Sequence, residues 1–371
     1  LQGTGVEVIH LGHNRSVQEI VDAAIEEDVQ GIAVSSYQGG HVEFFKYMVE
    51  LLRERGAEHI KVFGGGGGVI VPEEIRELET FGVTKIYSPE DGARLGLQGI
   101  INHMVRTMDF ERAREEDFDL SALAPENKLL VANLITTVEA AKVRQNGHLA
   151  KLRDELARKL AGRKVPVIGI TGTGGAGKSS LTDELILRLL HDQKDLHLAI
   201  ISSDPSRRST GGALLGDRIR MNAIGNPRVY MRSLATRRSH IEIPDALPEA
   251  IEVVKAAGYD LVIAETAGIG QGDSHIIDLV DVSMYVMTSE FGAASQLEKI
   301  DMLDFADLVV VNKFEKRGGE DAVRDVRKQI QRNRNDFGRR PEEMPVFGTI
   351  ASKFNDDGVT ALYHALLDAV G

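Results

Sequence analysis

The sequence predicts an α/β protein with two successive domains, each built on a parallel sheet covered by helices. Short apolar runs alternate with amphipathic segments over residues 6–107, which predicts a doubly wound first domain. A phosphate-loop pattern between an apolar strand and a helix begins a second α/β domain near residue 165. We expect domains at residues 1–108 and 165–371, with a linker and helical spacer at 109–164.

The composition limits the possible functions. The formal net charge of −12 and the pI near 5.5 disfavour general binding to nucleic acid or to an anionic membrane. The absence of cysteine excludes disulfides, thiolate metal sites and thiol catalysis. No apolar window approaches the length of about 18 residues that spans a membrane, and the first residues lack a signal-peptide pattern. We expect a cytoplasmic protein and, since no initiator Met is present, a piece of a longer or processed polypeptide.

In the first domain, the runs VEVIHL, GIAVS, HIKVF and TKIY predict strands. The clearest helix is SVQEIVDAAIEED, which begins with an S-x-x-E capping box formed by Ser16 and Glu19. Apolar residues recur at helical spacing along it, at Val17, Ile20, Val21, Ala24 and Ile25.

Glycine and serine loops follow three of these strands at their carboxyl ends, where doubly wound sheets bind ligands. One loop contains five consecutive glycines, at residues 64–68, which leave bare backbone for a large ligand to approach. A single such loop would be an ordinary turn, but three together favour a binding site. We define the binding rim by its candidate residues, Ser35, Tyr37, Gly67, Gly68, Tyr87 and Ser88.

Residues 109–127 are polar and acidic and predict an interdomain linker. Residues 128–160 show helical periodicity interrupted at Asn146 and Gly147, which predicts a helical hairpin or a kinked helix. We interpret this segment as a structural spacer.

The second domain contains the full G-x-x-x-x-G-K-S pattern at residues 172–179, preceded by a strand and followed by a helix. Its backbone N–H groups face the phosphates, Lys178 reaches the β and γ oxygens, and the Ser179 hydroxyl is a ligand for Mg²⁺. The loop residues expected at the nucleotide are Gly174, Gly175, Ala176, Gly177, Lys178 and Ser179.

Acidic residues downstream predict the rest of a magnesium site. The strand DLVIAETAG ends in E-x-x-G, so Glu265 can hold Mg²⁺ directly or through water with Thr266 beside it, and Gly268 can sense the γ-phosphate. Asp204 and Asp217 lie in a glycine-rich stretch and suit the same metal; the alternative is two turn or helix caps. The catalytic candidates are Lys178, Glu265 and Asp217.

The run VVVNKFE is similar to the N-K-x-D guanine motif, with candidates Asn312, Lys313, Phe314 and Glu315. A carboxylate there accepts from guanine N1–H and the 2-amino group, a donor pair that adenine lacks, so we expect GTP. Glu in place of Asp departs from the motif. The segment Ala351, Ser352 and Lys353 is a further candidate for the base pocket.

The position after the E-x-x-G glycine is Ile269, and Gln271 lies two residues further on. GTPases that hydrolyse by themselves carry Gln directly after this glycine, so we expect slow, partner-dependent turnover. Among the arginines of the expected first switch we favour Arg220 as the phosphate contact, one helical turn after Asp217. For the others, Arg207, Arg208 and Arg218, we expect a solvated surface.

The loops SSYQGGH and GGVI resemble those of the cobalamin-binding domain shared by cobalamin-dependent acyl-CoA mutases and methionine synthase. The resemblance implies a flavodoxin-like domain whose rim holds the nucleotide tail of the cofactor. The family's cobalt-ligating D-x-H-x-x-G motif is not in the sequence, and His10, His13 and His41 lack its context. We therefore expect the first βα unit to lie upstream, which leaves a gap in a sheet of order 2-1-3-4-5, and the three histidines to be surface or supporting residues.

The motifs E-T-A-G, D-P-S, G-G-x-L-L-G-D-R and G-G-A-G-K-S resemble the metallochaperone GTPases that accompany methylmalonyl-CoA mutase, over residues 129–371. With the first domain, the chain resembles the family of fused isobutyryl-CoA mutases. The resemblance implies adenosylcobalamin, GTP and Mg²⁺, an acyl-CoA-binding barrel in the same polypeptide, a homodimer, and a cobalamin adenosyltransferase as a possible cofactor donor. In this family GTP gates cofactor loading while isobutyryl-CoA is converted to butyryl-CoA.

Two alternatives stay open. One is a cobalamin-dependent sensor or scaffold with a GTP-binding module. The other is a nickel-insertion GTPase, which is disfavoured because the sequence has no cysteine and its 11 histidines are scattered.

Overall fold

The computed structural model describes residues 1–36, 39–113, 120–144, 148–206, 209–236, 243–266, 273–292, 297–298 and 300–371. Within these ranges the chain forms two main parallel sheets with helices packed on them. The predicted α/β fold is confirmed.

The first domain consists of β1 (Val8–Ile9), α1 (Val17–Glu26), β2 (Gly31–Ser35), α2 (His41–Glu54), β3 (Lys61–Gly65), α3 (Pro72–Phe81), β4 (Lys85–Tyr87) and α4 (Pro89–Met108). In the part of the chain that the structure describes, its sheet is parallel and has the order β2-β3-β4. The predicted capping box begins α1: Ser16 Oγ accepts from the Glu19 N–H at 3.2 Å, and Glu19 Oε2 accepts from the Ser16 N–H at 2.8 Å.

The apolar face of α1 lies in the core of this domain, as its periodicity predicts. Phe45 and Met48 of α2 and Leu78 of α3 are fully buried beside it. Because the three strands pair in parallel, the carboxyl ends of β2, β3 and β4 lie together at one edge of the sheet.

The run VEVIHL does not join the sheet of the first domain, contrary to the prediction of four similar strands. Its residues Val8 and Ile9 instead pair in parallel with Leu214 and Leu215 of the second domain. The N–H groups of Val8 and His10 donate to the carbonyls of Ala213 and Leu215, at 2.8 and 3.0 Å. The physical reason is that backbone N–H groups need acceptors, and for this short run the carbonyls of the second domain provide them.

The second domain contains α5 (Lys128–Arg144), α6 (His148–Leu160), β5 (Val167–Gly172), α7 (Lys178–Asp192), β6 (Leu198–Pro205), β7 (Leu214–Leu215), β8 (Val229–Thr236), α8 (Leu247–Ala257), β9 (Leu261–Glu265), β10 (Val282–Thr288), α9 (Met302–Phe305), β11 (Leu308–Asn312), α10 (Gly319–Asn333), β12 (Val346–Thr349) and α11 (Asp357–Val370). In the described residues its sheet is parallel, with the order β12-β11-β10-β5-β9-β6-β8. The central strands β5, β9 and β10 are buried along their whole length because helices cover both faces of the sheet.

The helices α5 and α6 pack on the second domain, and the predicted interruption at Asn146 and Gly147 between them lies outside the described residues. Val131, Leu134 and Ile135 of α5 are fully buried in a core that also contains α8 and strands of the second sheet. Leu152 and Leu156 of α6 lie in the same core. The two helices form a layer of the second domain because their apolar faces need this sheet and helix to cover them.

None of the helices in the described part of the chain combines the length and apolar character needed to cross a membrane.

Candidate functional site

The phosphate loop connects β5 to α7, and its glycines are required by close contacts. Gly172 has φ 146°, and a Cβ there would lie 1.9 Å from the Val286 carbonyl oxygen. Gly175 and Gly177 also have positive φ values, 75° and 87°. α7 begins after Gly177 without a cap from a described side chain, so its first N–H groups are available to an anion.

Asn312 and Lys313 hold this loop from the end of β11. Asn312 Nδ2 donates to the Ala176 carbonyl at 2.8 Å, and Lys313 Nζ donates to the Gly175 carbonyl at 2.7 Å. Asn312 Oδ1 in turn accepts from the Ala351 N–H at 3.1 Å. The guanine-type motif, the segment at residue 351 and the phosphate loop therefore lie together, as the sequence predicts for one nucleotide site.

The side chain of Ser179 connects two of the predicted metal ligands. Its hydroxyl lies 2.9 Å from Glu265 Oε1 and 3.2 Å from Asp217 Oδ1. Lys178 is buried next to it, with Nζ 3.4 Å from the Gly172 carbonyl oxygen. The three catalytic candidates thus lie around one hydroxyl group at the start of α7.

Burial and mutual repulsion shift the acidic groups of this site. Burial raises the pKa of Glu265 to about 7, and the Asp217 carboxylate adds to the rise while Lys178 opposes it. Burial and then the charge of Asp217 raise the pKa of Asp204 to about 7. Carboxylates crowded in this way favour a bound cation, which would offset their repulsion.

These residues fit a magnesium ion. Asp204 Oδ2 is buried and has no hydrogen-bond partner among the described residues. No cluster of three or more His, Cys, Asp and Glu side chains suited to a metal occurs in the described ranges. Mg²⁺ does not need one, because it combines one or two carboxylates with phosphate oxygens and water, and a Ser hydroxyl can serve beside them.

Two supporting residues of this site were missed by the sequence analysis. Ser202 Oγ donates to Asp217 Oδ2 at 2.5 Å, and Thr182 Oγ1 donates to Glu265 Oε2 at 3.2 Å. Thr182 lies about one helical turn after Ser179, a spacing that could have indicated it. The contact of Ser202 with Asp217 depends on the path of the intervening loop.

The other predicted site residues are placed as follows. The Thr266 hydroxyl donates to Thr171 Oγ1 at 2.8 Å, and Glu315 is exposed beside the half-buried Phe314. Arg220 is largely exposed, with Nη1 3.9 Å from Asp217 Oδ1. Several predictions fall on residues outside those described, namely Tyr37, Arg207, Arg208, Gly268, Ile269 and Gln271.

The expected solvated surface for Arg218 is wrong. This side chain is buried, and its guanidinium pairs with Glu26, the last residue of α1, and with Glu27, which follows it. The reason is that α1 packs against this part of the second domain and presents two carboxylates to it.

The binding rim lies at the carboxyl edge of the first sheet. The strand register places Ser35, Gly65 and Tyr87 side by side on adjacent strands. Ser35, Gly67 and Gly68 are exposed, and the two glycines have φ values of 55° and 93°. The edge therefore presents side-chain-poor backbone, which fits a large cofactor lying across it.

At the carboxyl end of β4, the side chains of Tyr87 and Ser88 make contacts within the first domain. Tyr87 stacks on Phe63, with 6.4 Å between ring centroids, and its hydroxyl lies 2.7 Å from His103 Nδ1. Ser88 caps α4 by accepting from the Asp91 N–H at 3.1 Å.

The histidines His10 and His13 are exposed, as expected. His41 is buried at the start of α2, and its Nε2 lies 2.9 Å from Glu74 Oε2, which fits a supporting role.

Comparison with known proteins supports both halves of this description. Residues 131–370 match the family model described as Methylmalonyl Co-A mutase-associated GTPase MeaB. Residues 1–95 match the B12 binding domain. The predicted GTPase and cobalamin-binding domains are thereby confirmed.

Curated relatives extend the similarity to the whole chain. The fused isobutyryl-CoA mutases of Cupriavidus metallidurans (strain CH34) and Geobacillus kaustophilus (strain HTA426) are 62% and 60% identical to it. Each alignment covers 100% of this chain and 34% of the relative, so the chain spans about a third of the length of these relatives. A solved structure of an LAO/AO transport system kinase aligns with a TM-score of 0.48 and 24% identity, covering 67% of this chain and 73% of that one.

A GTPase family match over more than half of the chain, with a B12 binding domain match ahead of it, agrees with the phosphate loop, with Asp217 and Glu265 beside Ser179, and with the binding rim. The chain belongs to the family of methylmalonyl-CoA mutase-associated GTPases, and its B12 binding domain match precedes the GTPase match.

Proposed function

We propose that this chain is the cofactor-binding and GTP-hydrolysing portion of an adenosylcobalamin-dependent acyl-CoA mutase that converts isobutyryl-CoA to butyryl-CoA. GTP binding and hydrolysis gate the loading and release of cobalamin. The observation that carries the proposal is the Ser179 hydroxyl held between Asp217 and Glu265 at the start of α7. This is the arrangement expected of a magnesium-dependent nucleotide switch.

In this function, the chain's own residues bind and orient the nucleotide. The N–H groups of residues 174–179 and the Lys178 ammonium take the phosphates, while Ser179 and the carboxylates of Asp204, Asp217 and Glu265 would hold Mg²⁺ directly or through water, with Thr266 beside them. The metal, when bound, neutralises phosphate charge. Arg220 closes over the same phosphates from its exposed position.

Selectivity for guanine rests on the segment that begins at Asn312. The Glu315 carboxylate is exposed and able to accept from guanine N1–H and the 2-amino group. Asn312 and Lys313 keep the phosphate loop at a set distance from this base site through their bonds to its carbonyls. Phe314 supports the segment by packing on Gly348.

In the first domain, the binding rim takes the nucleotide tail of the cofactor. Adenosylcobalamin, when bound, supplies the radical chemistry of the mutase reaction. Support comes from the exposed, glycine-lined carboxyl edge of β2 and β3 and from the B12 binding domain match.

The acyl-CoA-binding barrel belongs to the same polypeptide, and the enzyme is a cytoplasmic homodimer that can receive cobalamin from an adenosyltransferase. Support for the barrel comes from fused relatives of which the chain covers only 34%.

The test has two steps. Calorimetry with Mg²⁺ present compares GTP with ATP, and we expect uptake of GTP with at least about tenfold preference. GTP turnover is then measured with and without an acyl-CoA mutase barrel, and we expect slow turnover that the barrel changes. A sensor or scaffold would show no turnover in either case, and failure to bind GTP would refute the proposal.

A further inference from the structure

Three consecutive acidic residues at the end of α1 are buried. Glu26, Glu27 and Asp28 have exposed fractions of 2%, 6% and 4%. Charged groups at the end of a helix are normally solvated, since the burial of an ion without partners is strongly unfavourable. The partners of these carboxylates therefore explain why they are inside.

Arg218 of the second domain is the shared partner of the first two. Its Nε donates to Glu27 Oε1 at 2.6 Å, and its Nη2 donates to Glu26 Oε2 at 2.8 Å. Burial by itself would lower the pKa of Arg218, but the charges of Glu27 and Glu26 outweigh burial and raise it. The guanidinium is therefore held as a cation between two carboxylates from the other domain.

The two carboxylates are also fixed independently of Arg218. Lys128 Nζ donates to Glu26 Oε1 at 2.8 Å. Ser233 donates to Glu27 twice, through its N–H and its hydroxyl, both at 2.9 Å. Because these bonds hold the two carboxylates in place, the Arg218 guanidinium can donate to both of them from one position only.

Arg218 directly follows Asp217, the candidate metal ligand. The two residues begin the single 3₁₀ turn Asp217–Arg220, so a movement of one main chain position moves the other. On the same turn, Ile219 touches the first domain, since a Cβ at Gly12 would lie 2.7 Å from Ile219 Cδ1. The side chains of Arg218 and Ile219 thus hold this turn against the first domain. The same turn carries Asp217, which contacts the Ser179 hydroxyl.

We infer that Glu26 and Glu27 are positioning residues for the magnesium and nucleotide site, and that they act on Asp217 through Arg218. The inference rests on the proposed function. When the Arg218 bonds are intact, Asp217 lies where it meets the Ser179 hydroxyl; when they are lost, Asp217 is free to leave the metal. By thermodynamic reciprocity, Mg²⁺ with GTP then stabilises the contact between the two domains.

The decisive variant removes Arg218 together with the two carboxylates that share it, and Lys128 keeps the Val229 carbonyl as an acceptor, 2.6 Å from its Nζ. Arg218→Met alone would leave two buried carboxylates without their shared guanidinium and is expected to destabilise the protein strongly. The triple variant Arg218→Met with Glu26→Gln and Glu27→Gln removes all three charges and retains similar volumes. The matched control is Arg112→Met with Asp28→Asn, which removes a second, partly buried pair, 2.8 Å apart, on the same stretch of acidic residues.

Binding of a fluorescent GTP analogue to the full chain is titrated with Mg²⁺ and repeated in EDTA. We expect the Mg²⁺ concentration for half-saturation to rise about five- to tenfold in the triple variant and to stay unchanged in the control. Binding in EDTA should be equal in all three proteins, which a general loss of structure would not allow. An unchanged half-saturation in the triple variant, or an equal shift in both variants, overturns the inference.

A second measurement uses the unaltered chain and does not depend on the variants folding. Hydrogen exchange of the GTP-loaded protein is followed before and after addition of Mg²⁺. We expect slower exchange of the Ser233 amide, which donates to Glu27, and no change at residues 85–87. Unchanged exchange at Ser233 overturns the inference, whereas absence of any Mg²⁺-dependent GTP binding overturns the proposed function together with it.

Discussion

Positions 64 and 66 require glycine because neighbouring atoms occupy the space that a Cβ would need. A Cβ at Gly64 would lie 2.5 Å from Phe45 and from Ile86, and one at Gly66 would lie 2.6 Å from the Ser36 carbonyl oxygen. At Gly65 the nearest atom would be 3.8 Å away. In this run of glycines, Gly64 and Gly66 therefore allow close packing, whereas the exposed Gly67 and Gly68 present bare backbone on the binding rim.

Gly66→Ala is expected to lower the free energy of unfolding by about 1–3 kcal/mol, because the new methyl group must displace a backbone carbonyl. Gly65→Ala is the matched control and should change it by less than about 0.5 kcal/mol. Chemical unfolding of the two variants measures this difference. Equal stability of the two would mean that the Ser36 carbonyl moves at no cost.

Asn312→Ala is expected to weaken GTP binding about tenfold or more, because the buried carbonyl of Ala176 and the N–H of Ala351 would both lose their partner. Calorimetry with Mg²⁺ measures the affinity, and thermal unfolding of the same variant separates displacement of the loop from unfolding. An unchanged affinity in a folded variant would contradict the role assigned to Asn312.

Among the elements, α8 connects α5 and α6 through one acidic side chain. Glu249 accepts from Lys142 of α5 at 2.7 Å and from Arg153 of α6. Burial by itself would raise the pKa of Glu249, but the hydrogen bonds from Arg153 and Lys142 outweigh it and lower the pKa below 4.5. The layer formed by α5, α6 and α8 over the second sheet thus combines an apolar core with an ionic contact among the three helices.

Glu249→Gln should lower the free energy of unfolding by roughly 2 kcal/mol near pH 7, because two charged donors lose their carboxylate. A lowered pKa contributes stability above the unfolded value, near 4.5. That contribution disappears as the pH falls through the folded value. The difference between wild type and variant should therefore shrink below about pH 4.5.

Thermal or chemical unfolding as a function of pH measures this effect. The matched control is Glu252→Gln on the same helix, whose side chain is 46% exposed and pairs with Lys255 one turn away. Such surface pairs contribute little, so we expect a change below about 0.5 kcal/mol. A constant difference for Glu249→Gln from pH 7 to pH 3 would exclude the ionic contribution.

For the molecule as a whole, the two sheets provide two separate ligand edges, while α1 links the domains by packing on α5 and β8. The nucleotide site and the binding rim share no predicted residue. The contact of Arg218 with Glu26 of α1 connects the turn that carries Asp217 to the first domain.

Lys178→Ala is expected to reduce GTP binding by at least about 100-fold, because the loop loses the ammonium that reaches the β and γ phosphates. Affinity for cobalamin measured without nucleotide should stay within about twofold, since the rim lies on the other sheet. Calorimetry measures the first and absorbance titration the second, with Lys194→Ala, an exposed residue shortly after α7, as control. Loss of both affinities in a folded variant would contradict the separation of the sites.

The sequence by itself determined the features that depend on neighbouring residues: the α1 cap at Ser16, the phosphate loop before Lys178, and the glycine rim at Gly67. Only the tertiary structure decided the contacts between distant parts of the chain, such as Arg218 with Glu27, which are separated by 191 positions. It also placed Val8 against Leu214 and made α5 part of the second core. The physical reason is that burial and charge pairing depend on what packs against a segment, and no local pattern contains that information.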